Sequence, residues 1–418
     1  MAESARQYGE IVHYRFGPTH AYLLTNPAYA HYVLVERADK FAARSQLIRA
    51  LNSAFGHELF PPKERAHRAA RPQPLFQPRW LDEFAATTTG NADALAQRWN
   101  DDSTHDVAAD FRRLTLGIAA RMLFNTTATD VANRIAETMV FCPPLSDRRF
   151  RSPLTLPDWV PTAGNRRDQL AAHELKGLID QLIQEHRAYP NTPDLLGSLI
   201  AAADARGATD TQVRDEALTL FLAAHETTAT TLAWALYLLA QNSEAETLLR
   251  AEVDAVLEGR APTAEDLPDL PYAEMVVRET LRLYPPAWLL ARQAKSEIRI
   301  ANYYLPSGST VFVSPYIMHR SPRYFVTPSA FIPERFAEGY ERRLPRNAYL
   351  PFGAGARAGI EQDVTLTQTT LLLATLVQRC RFSLDPARVV NAEPGLTLRP
   401  SGGMTMRVEA RTPAVVTV

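Results

Sequence analysis

The spacing of hydrophobic and polar positions changes period twice along the 418-residue chain. Ile11 to Phe16 and Ala21 to Thr25 are short β-prone runs on either side of Gly17-Pro18, which predicts a hairpin, and Asn26-Pro27 then opens a helix. From about 74 to 241 the apolar residues recur mostly at helical spacing, with breaks at Pro143-Pro144, Pro153 to Pro161 and Tyr189-Pro190. The longest helix runs over about 210–242, opens near Thr209 or Thr211, and carries Leu218, Leu222, Leu232, Leu236 and Leu239 among mostly apolar neighbours. At ~1.5 Å per residue it spans roughly 50 Å. A helix that long and that apolar has to cross the core. A further helix over about 272–284 is stopped by Pro285-Pro286, after which strand-like runs appear at Ile298 to Ile300 and Ser309 to Val313. One more helix, about 360–378, follows a Gly-rich loop, and short strands finish the chain.

The pattern predicts a mainly α fold with a minor β region. No Gly/Ser linker, charge run or shift in composition divides the chain, and no repeat is present, so a single large domain over 1–418 is expected. With 46% apolar and 22% charged residues the chain can bury a large core. A formal net charge of −1 gives no field that would attract nucleic acid or an anionic membrane. Neither a signal peptide nor a run of 18 apolar residues is found, so a cytoplasmic protein without a membrane anchor is expected. Cys142 and Cys380 are the only cysteines, and in a reducing compartment they read as small buried hydrophobes. No residue cluster suggests a metal site. His225-Glu226 begins like a zinc protease helix, but Ala229 occupies the place of the second histidine.

Several ordered motifs carry more. Glu279-Thr-Leu-Arg282 places a carboxylate and a guanidinium on one helical face, where both can meet a third charged group. Leu283-Tyr284-Pro285-Pro286 follows, then Arg292, then Pro333-Glu334-Arg335-Phe336, then Pro351-Phe352-Gly353-Ala354-Gly355-Ala356-Arg357 opening a helix. In this order, and from about Tyr8 to Val408, the chain resembles the cytochrome P-450 family. The resemblance implies a structural ion-pair network of Glu279, Arg282 and Arg335. It also implies that Ala223 to Thr228 is the oxygen-activation segment, with Glu226 and Thr227 as its acid-alcohol pair. Arg292 and Arg357 match contacts to haem propionates, as His67 and Arg71 do when counted from Gly56; Pro72 interrupts that segment. Leu218, Ala223, Ala224, Thr227, Ala287, Leu289, Leu290 and Met404 match positions that line the substrate pocket, and their apolar character suggests a hydrophobic small molecule.

The haem loop departs from the family. An axial thiolate pushes electron density onto the iron, and the family pattern places that cysteine at position 359, where this chain has Gly359. Cys380 lies about twenty residues on, roughly 30 Å away along a helix. Glu361 stands where the family has glycine, and Ala224 likewise. A carboxylate in the first turn also suits the helix dipole, which is the plainer reading of Glu361. The expectation drawn from these departures is haem-independent, non-oxidative chemistry (cyclisation, rearrangement or elimination), with Glu226, Thr227, His225 and Glu361 as acid or base. No cofactor is expected on this reading. The alternatives are a non-catalytic auxiliary of a partner enzyme such as a glycosyltransferase, or a haem protein with a non-cysteine ligand and altered redox activity. Arg342, Arg343 and Arg346 lie where redox partners dock on the family fold, but arginine supplies nearly all basic residues of this chain, so a solvated charged face is the plainer reading and no redox partner is inferred from them.

Overall fold

The computed structural model describes residues 1–42, 78–99, 103–124, 160, 162–189, 194–337, 339–355, 361–385 and 389–411. Counting helices of ten residues or more among these, the order is α1 (Pro78–Arg98), α2 (Val107–Phe124), α3 (Ala163–Ala188), α4 (Leu195–Asp204), α5 (Asp210–Gln241), α6 (Ser243–Leu257), α7 (Pro271–Leu283) and α8 (Glu361–Arg379). The strands are β1 (Ile11–Phe16), β2 (Thr19–Leu24), β3 (Phe41–Ala42), β4 (Ser103–Asp106), β5 (Leu290–Ala294) and β6 (Ile298–Ile300). They continue with β7 (Tyr303–Leu305), β8 (Thr310–Val313), β9 (Cys380–Ser383), β10 (Ala392–Pro394), β11 (Leu398–Pro400) and β12 (Thr405–Ala410). The fold is mainly helical with a minor β region, as the pattern predicts.

Helix α5 starts where its capping chemistry dictates. Thr209 accepts from the Gln212 amide, while the Gln212 side chain accepts from the Thr209 amide, satisfying two otherwise orphaned donors. Its C-terminal half is buried almost all round, with Leu232, Trp234, Leu236 and Leu239 in one apolar cluster with α1, α2, α7 and α8. Its N-terminal half packs Val213, Ala217, Leu218 and Phe221 into a second cluster against α2, α3 and α4. Such a helix is held by packing on every side, and neither half needs an amphipathic stripe.

The predicted hairpin forms with Phe16 opposite Thr19, and Asn26 caps the short helix Pro27–His31 by accepting from the Ala28 amide. The sequence pattern does not show what the hairpin joins. β2 pairs in parallel with β8, giving the five-stranded order β1-β2-β8-β5-β3. β12 pairs with both β4 and β9, tying the end of the described chain to the start of α2. The breaks expected near 143–144 and 153–161 lie almost wholly outside the described residues. Among the described residues no helix is long and apolar enough to cross a membrane.

Candidate active site

The frame of the site is built on α7. Its N-terminus is fixed from α6, where the Glu252 carboxylate accepts the Tyr272 and Ala273 amides at 2.7 and 2.9 Å. Three residues apart on its buried face, Glu279 and Arg282 meet at 2.6 and 2.8 Å, both with no exposed surface. Arg282 spends its other donors on the carbonyls of His319, Pro328 and Ala330, and Glu279 also accepts from the Ile332 amide and, at 3.5 Å, from Arg335. The three residues expected to form the network do form it. His319 was not foreseen. Its ring donates from Nδ1 to the Arg282 carbonyl and accepts the Leu350 amide on Nε2 at 2.9 Å, linking α7 to the loop before α8. Burial, followed by the neighbouring Arg282 charge, pushes its pKa down to about 3, so it stays neutral.

That loop is held close to the sheet. Gly355 has φ +78°, and a Cβ there would lie 2.3 Å from the Leu34 carbonyl oxygen, so only glycine fits. A Cβ on Gly353 would touch Leu290 at 3.7 Å, which places the loop beside the segment that leads into β5. Arg292 lies half-buried on β5 and donates to the Ala291 carbonyl. Ala287, Leu289 and Leu290 are also only half-buried. Arg357, Gly359, His67 and Arg71 lie outside the described residues, and Glu361 is described only as the first residue of α8.

On α5 the candidates separate. Glu226 is 5% exposed; its Oε1 accepts from the Thr397 hydroxyl at 3.1 Å, and its Oε2 is buried without a donor among the described residues. His225, one residue before, is turned to the opposite task. Its Nδ1 donates to the Phe221 carbonyl at 2.9 Å, the ring packs on Phe221, and burial lowers its pKa. A neutral imidazole bound to its own helix is poorly placed to act as a base. Thr227 is half-buried, and its carbonyl accepts from Thr231. Thr228 donates to Gln368 at 3.2 Å, joining α5 to α8, while Thr115 of α2 donates to the His225 carbonyl at 3.0 Å. Leu218 and Met404 are fully buried in apolar clusters, where packing accounts for them. The backbone of Ala223 and Ala224 belongs to α5.

Thr397 sits at the tip of the hairpin formed by β10 and β11. The tip is pinned by three bonds: Trp288 Nε1 to the Gly395 carbonyl at 2.9 Å, the Leu398 amide to the Pro286 carbonyl at 3.2 Å, and Trp234 Nε1 to the Leu398 carbonyl at 2.8 Å. No motif announces Thr397. The indole N–H groups of buried Trp234 and half-buried Trp288 are the available signal, because an indole N–H shielded from water must find an acceptor.

The cytochrome P450 family model matches residues 1–406. The chain belongs to the cytochrome P450 family. It is 34% identical to cyclooctatin synthase of Streptomyces melanosporofaciens over 97% of this chain and 89% of that protein. It is 33% identical to cyclooctat-9-en-7-ol 5-monooxygenase of the same organism, over 91% of this chain and 84% of that protein. It is 31% identical to pentalenene oxygenase of Streptomyces avermitilis, over 98% and 92%.

These likenesses correct two expectations. Relatives named as a monooxygenase and an oxygenase over nearly the whole chain point to oxidation, and overturn haem-independent chemistry and a purely auxiliary role. The family and the same names indicate haem as the cofactor, against the expectation of none. Glu361 and His225 therefore lose the reason for which they were singled out as acid or base. The departures at Gly359, Glu361 and Ala224 leave the Glu279–Arg282–Arg335 frame of the family intact.

The fit of haem to this chain is nevertheless uneven. The Glu279–Arg282–Arg335 frame and the close loop at Gly355 suit a P450 haem site, and Arg292 lies on β5 beside the loop. Among the described residues no cysteine thiolate fits. Position 359 is glycine. Cys380, the cysteine among the described residues, is buried in β9 beyond the far end of α8, and burial pushes its thiol up to about 11. A thiol in that environment is neither ionised nor within reach of the loop.

Proposed function

We propose that this P450 oxidises a hydrophobic small molecule bound beside α5, against the joined surface of the segment 286–290 and the tip of the β10–β11 hairpin. The observation that carries the reading is the end-to-end likeness to relatives named as oxygenases, together with an intact Glu279–Arg282–Arg335 frame. The names of those relatives favour an alkene or alcohol with a ring skeleton as the substrate class. Haem, when bound, would supply the oxygen chemistry, and the protein supplies binding, orientation and electrostatics. Arg292 and Arg357 are the candidates to hold its propionates, because guanidinium groups match carboxylates in charge and geometry.

The residues of the chain divide the remaining tasks. Ala287, Leu289 and Leu290 offer half-buried apolar surface to the substrate. Glu226 keeps a carboxyl group in a buried position on the same helix as Thr227, where it can orient a bound polar group. Electrons would come from a partner protein docking near Arg342, Arg343 and Arg346, which are exposed. A cytoplasmic setting suits a chain of this kind.

Purified protein supplied with haem, a ferredoxin and its reductase would be incubated with a panel of cyclic alkenes and cyclic alcohols. A product one oxygen atom heavier, dependent on the electron donor, is the expected result. Protein that takes up no haem and yields no such product overturns the reading.

A further inference from the structure

Glu226 presents an acceptor that its surroundings do not fill. Its Oε1 takes the proton of the Thr397 hydroxyl, and Oε2 is buried with no donor among the described residues. Thr397 has one hydroxyl hydrogen and has spent it on Oε1. His225 offers no compensating charge, since its Nδ1–H is bound to Phe221 and burial disfavours its imidazolium form. A buried carboxyl oxygen left unpaired is costly, so a group retained in that state calls for a donor beyond the described residues, and a bound ligand can supply it. We propose that Glu226 and Thr397 form a recognition site for a hydroxyl group on an otherwise apolar substrate, with Glu226 Oε2 accepting the substrate O–H.

The chemistry selects the ligand class. An alcohol brings the single donor that Oε2 lacks. A ketone or ether sets acceptor against acceptor, and a plain hydrocarbon leaves the oxygen unpaired. An ammonium group would bring three donors to one open acceptor. The site is also stiff. The hairpin tip that carries Thr397 is pinned to Trp288, Pro286 and Trp234, so the carboxyl group is fixed before the ligand arrives. A site built to bond a hydroxyl rejects analogues lacking it more sharply than an apolar wall rejects a misfit.

The inference rests on the oxidative reading only in taking this side of α5 as the substrate side, and it is tested by binding alone. Calorimetric titration would compare three probes of one skeleton: 2-adamantanol, 2-adamantanone and adamantane. The alcohol is expected to bind at least about tenfold tighter than the other two. Glu226→Met should bring the alcohol down to the level of the hydrocarbon. Thr397→Val should reduce the preference severalfold, and Thr397→Ser should keep it. Equal affinities in the native protein, no binding of the alcohol at its solubility limit, or a preference that survives Thr397→Val overturns the proposal. The threonine pair decides the matter even where Glu226→Met fails to fold. Alcohol-selective binding without any oxidised product would leave this site standing and remove the oxidative reading instead.

Discussion

Burial fixes the charge states around α7, and two residues there make contrasting predictions. The Arg282 guanidinium fills all its donors inside the protein, with no exposed surface. Lysine has three donors around a point charge and cannot reproduce that fork, so Arg282→Lys leaves Glu279 and several carbonyls short of partners. A loss of about 3 kcal/mol or more follows from breaking a buried pair, read as a lowered thermal midpoint against the parent protein. His319 acts through pH. Its pKa is about 6.5 in the unfolded chain and falls to about 3 in the fold, so between these values the unfolded state binds the extra proton. The contribution of His319 is therefore complete above pH 6.5 and declines as the pH falls, by up to about 1.4 kcal/mol per unit. His319→Gln should flatten the fall in thermal midpoint between pH 6.5 and 5; an unchanged slope would show that the ring does not titrate on unfolding. Glu279 and Arg282 were legible from their spacing on one helical face, and Arg335, 56 residues from Glu279, through the family resemblance alone. His319 was not, since its partners Arg282 and Leu350 are 37 and 31 residues away.

Among the elements, the same distinction separates what periodicity reveals from what pairing decides. Helices α5, α7 and α8 begin and end within a residue or so of their expected bounds, because Thr209, Pro271, Pro285 and the Gly-rich loop are local stop and start signals. The β10–β11 hairpin carries no such signal for its destination. Its place over α5 depends on Trp234, which stacks on Tyr284 with centroids 3.9 Å apart and donates to the Leu398 carbonyl. Trp234→Phe keeps an aromatic ring against Tyr284 but removes that donor and leaves the buried Leu398 carbonyl short of a partner. It should cost about 1–3 kcal/mol of stability. It should also weaken the alcohol preference assigned to Glu226, because the tip that presents Thr397 loses one of its three pins. Thermal melting and the same calorimetric titration read the two effects separately. A stability loss with the preference untouched would place the rigidity of the tip in its other two contacts.

For the whole molecule, the frame and the loop make different statements about the haem, and one substitution sets them against each other. The likeness over residues 1–406, the ion-pair frame and the glycine at 355 belong to the P450 family, whose relatives here are named as oxygenases, whereas Gly359 removes the sulfur that the family places on iron. The departures at Gly359, Glu361 and Ala224 predict a chain without haem, and the family and the names of the relatives correct that expectation. What a ligand contributes is electronic push, and what the fold contributes is position and burial, so the two can be varied independently. Gly359→Cys restores the sulfur without touching Glu279, Arg282, Arg335, Glu226 or Thr397. In haem-loaded protein reduced under carbon monoxide, the variant should show the red-shifted band of a thiolate-bound carbonyl and the parent protein should not. Its donor-dependent oxidation rate should rise by about tenfold or more, since the push acts on the oxygen step alone. Adding Glu361→Gly tests the neighbouring departure, where the family keeps glycine so that the backbone can approach the porphyrin. A parent protein that already shows the thiolate band would mean that a cysteine reaches the iron after all. Cys380 would need a rearranged α8 to do so, and a Cys380→Ser variant that keeps the band would pass that role to Cys142.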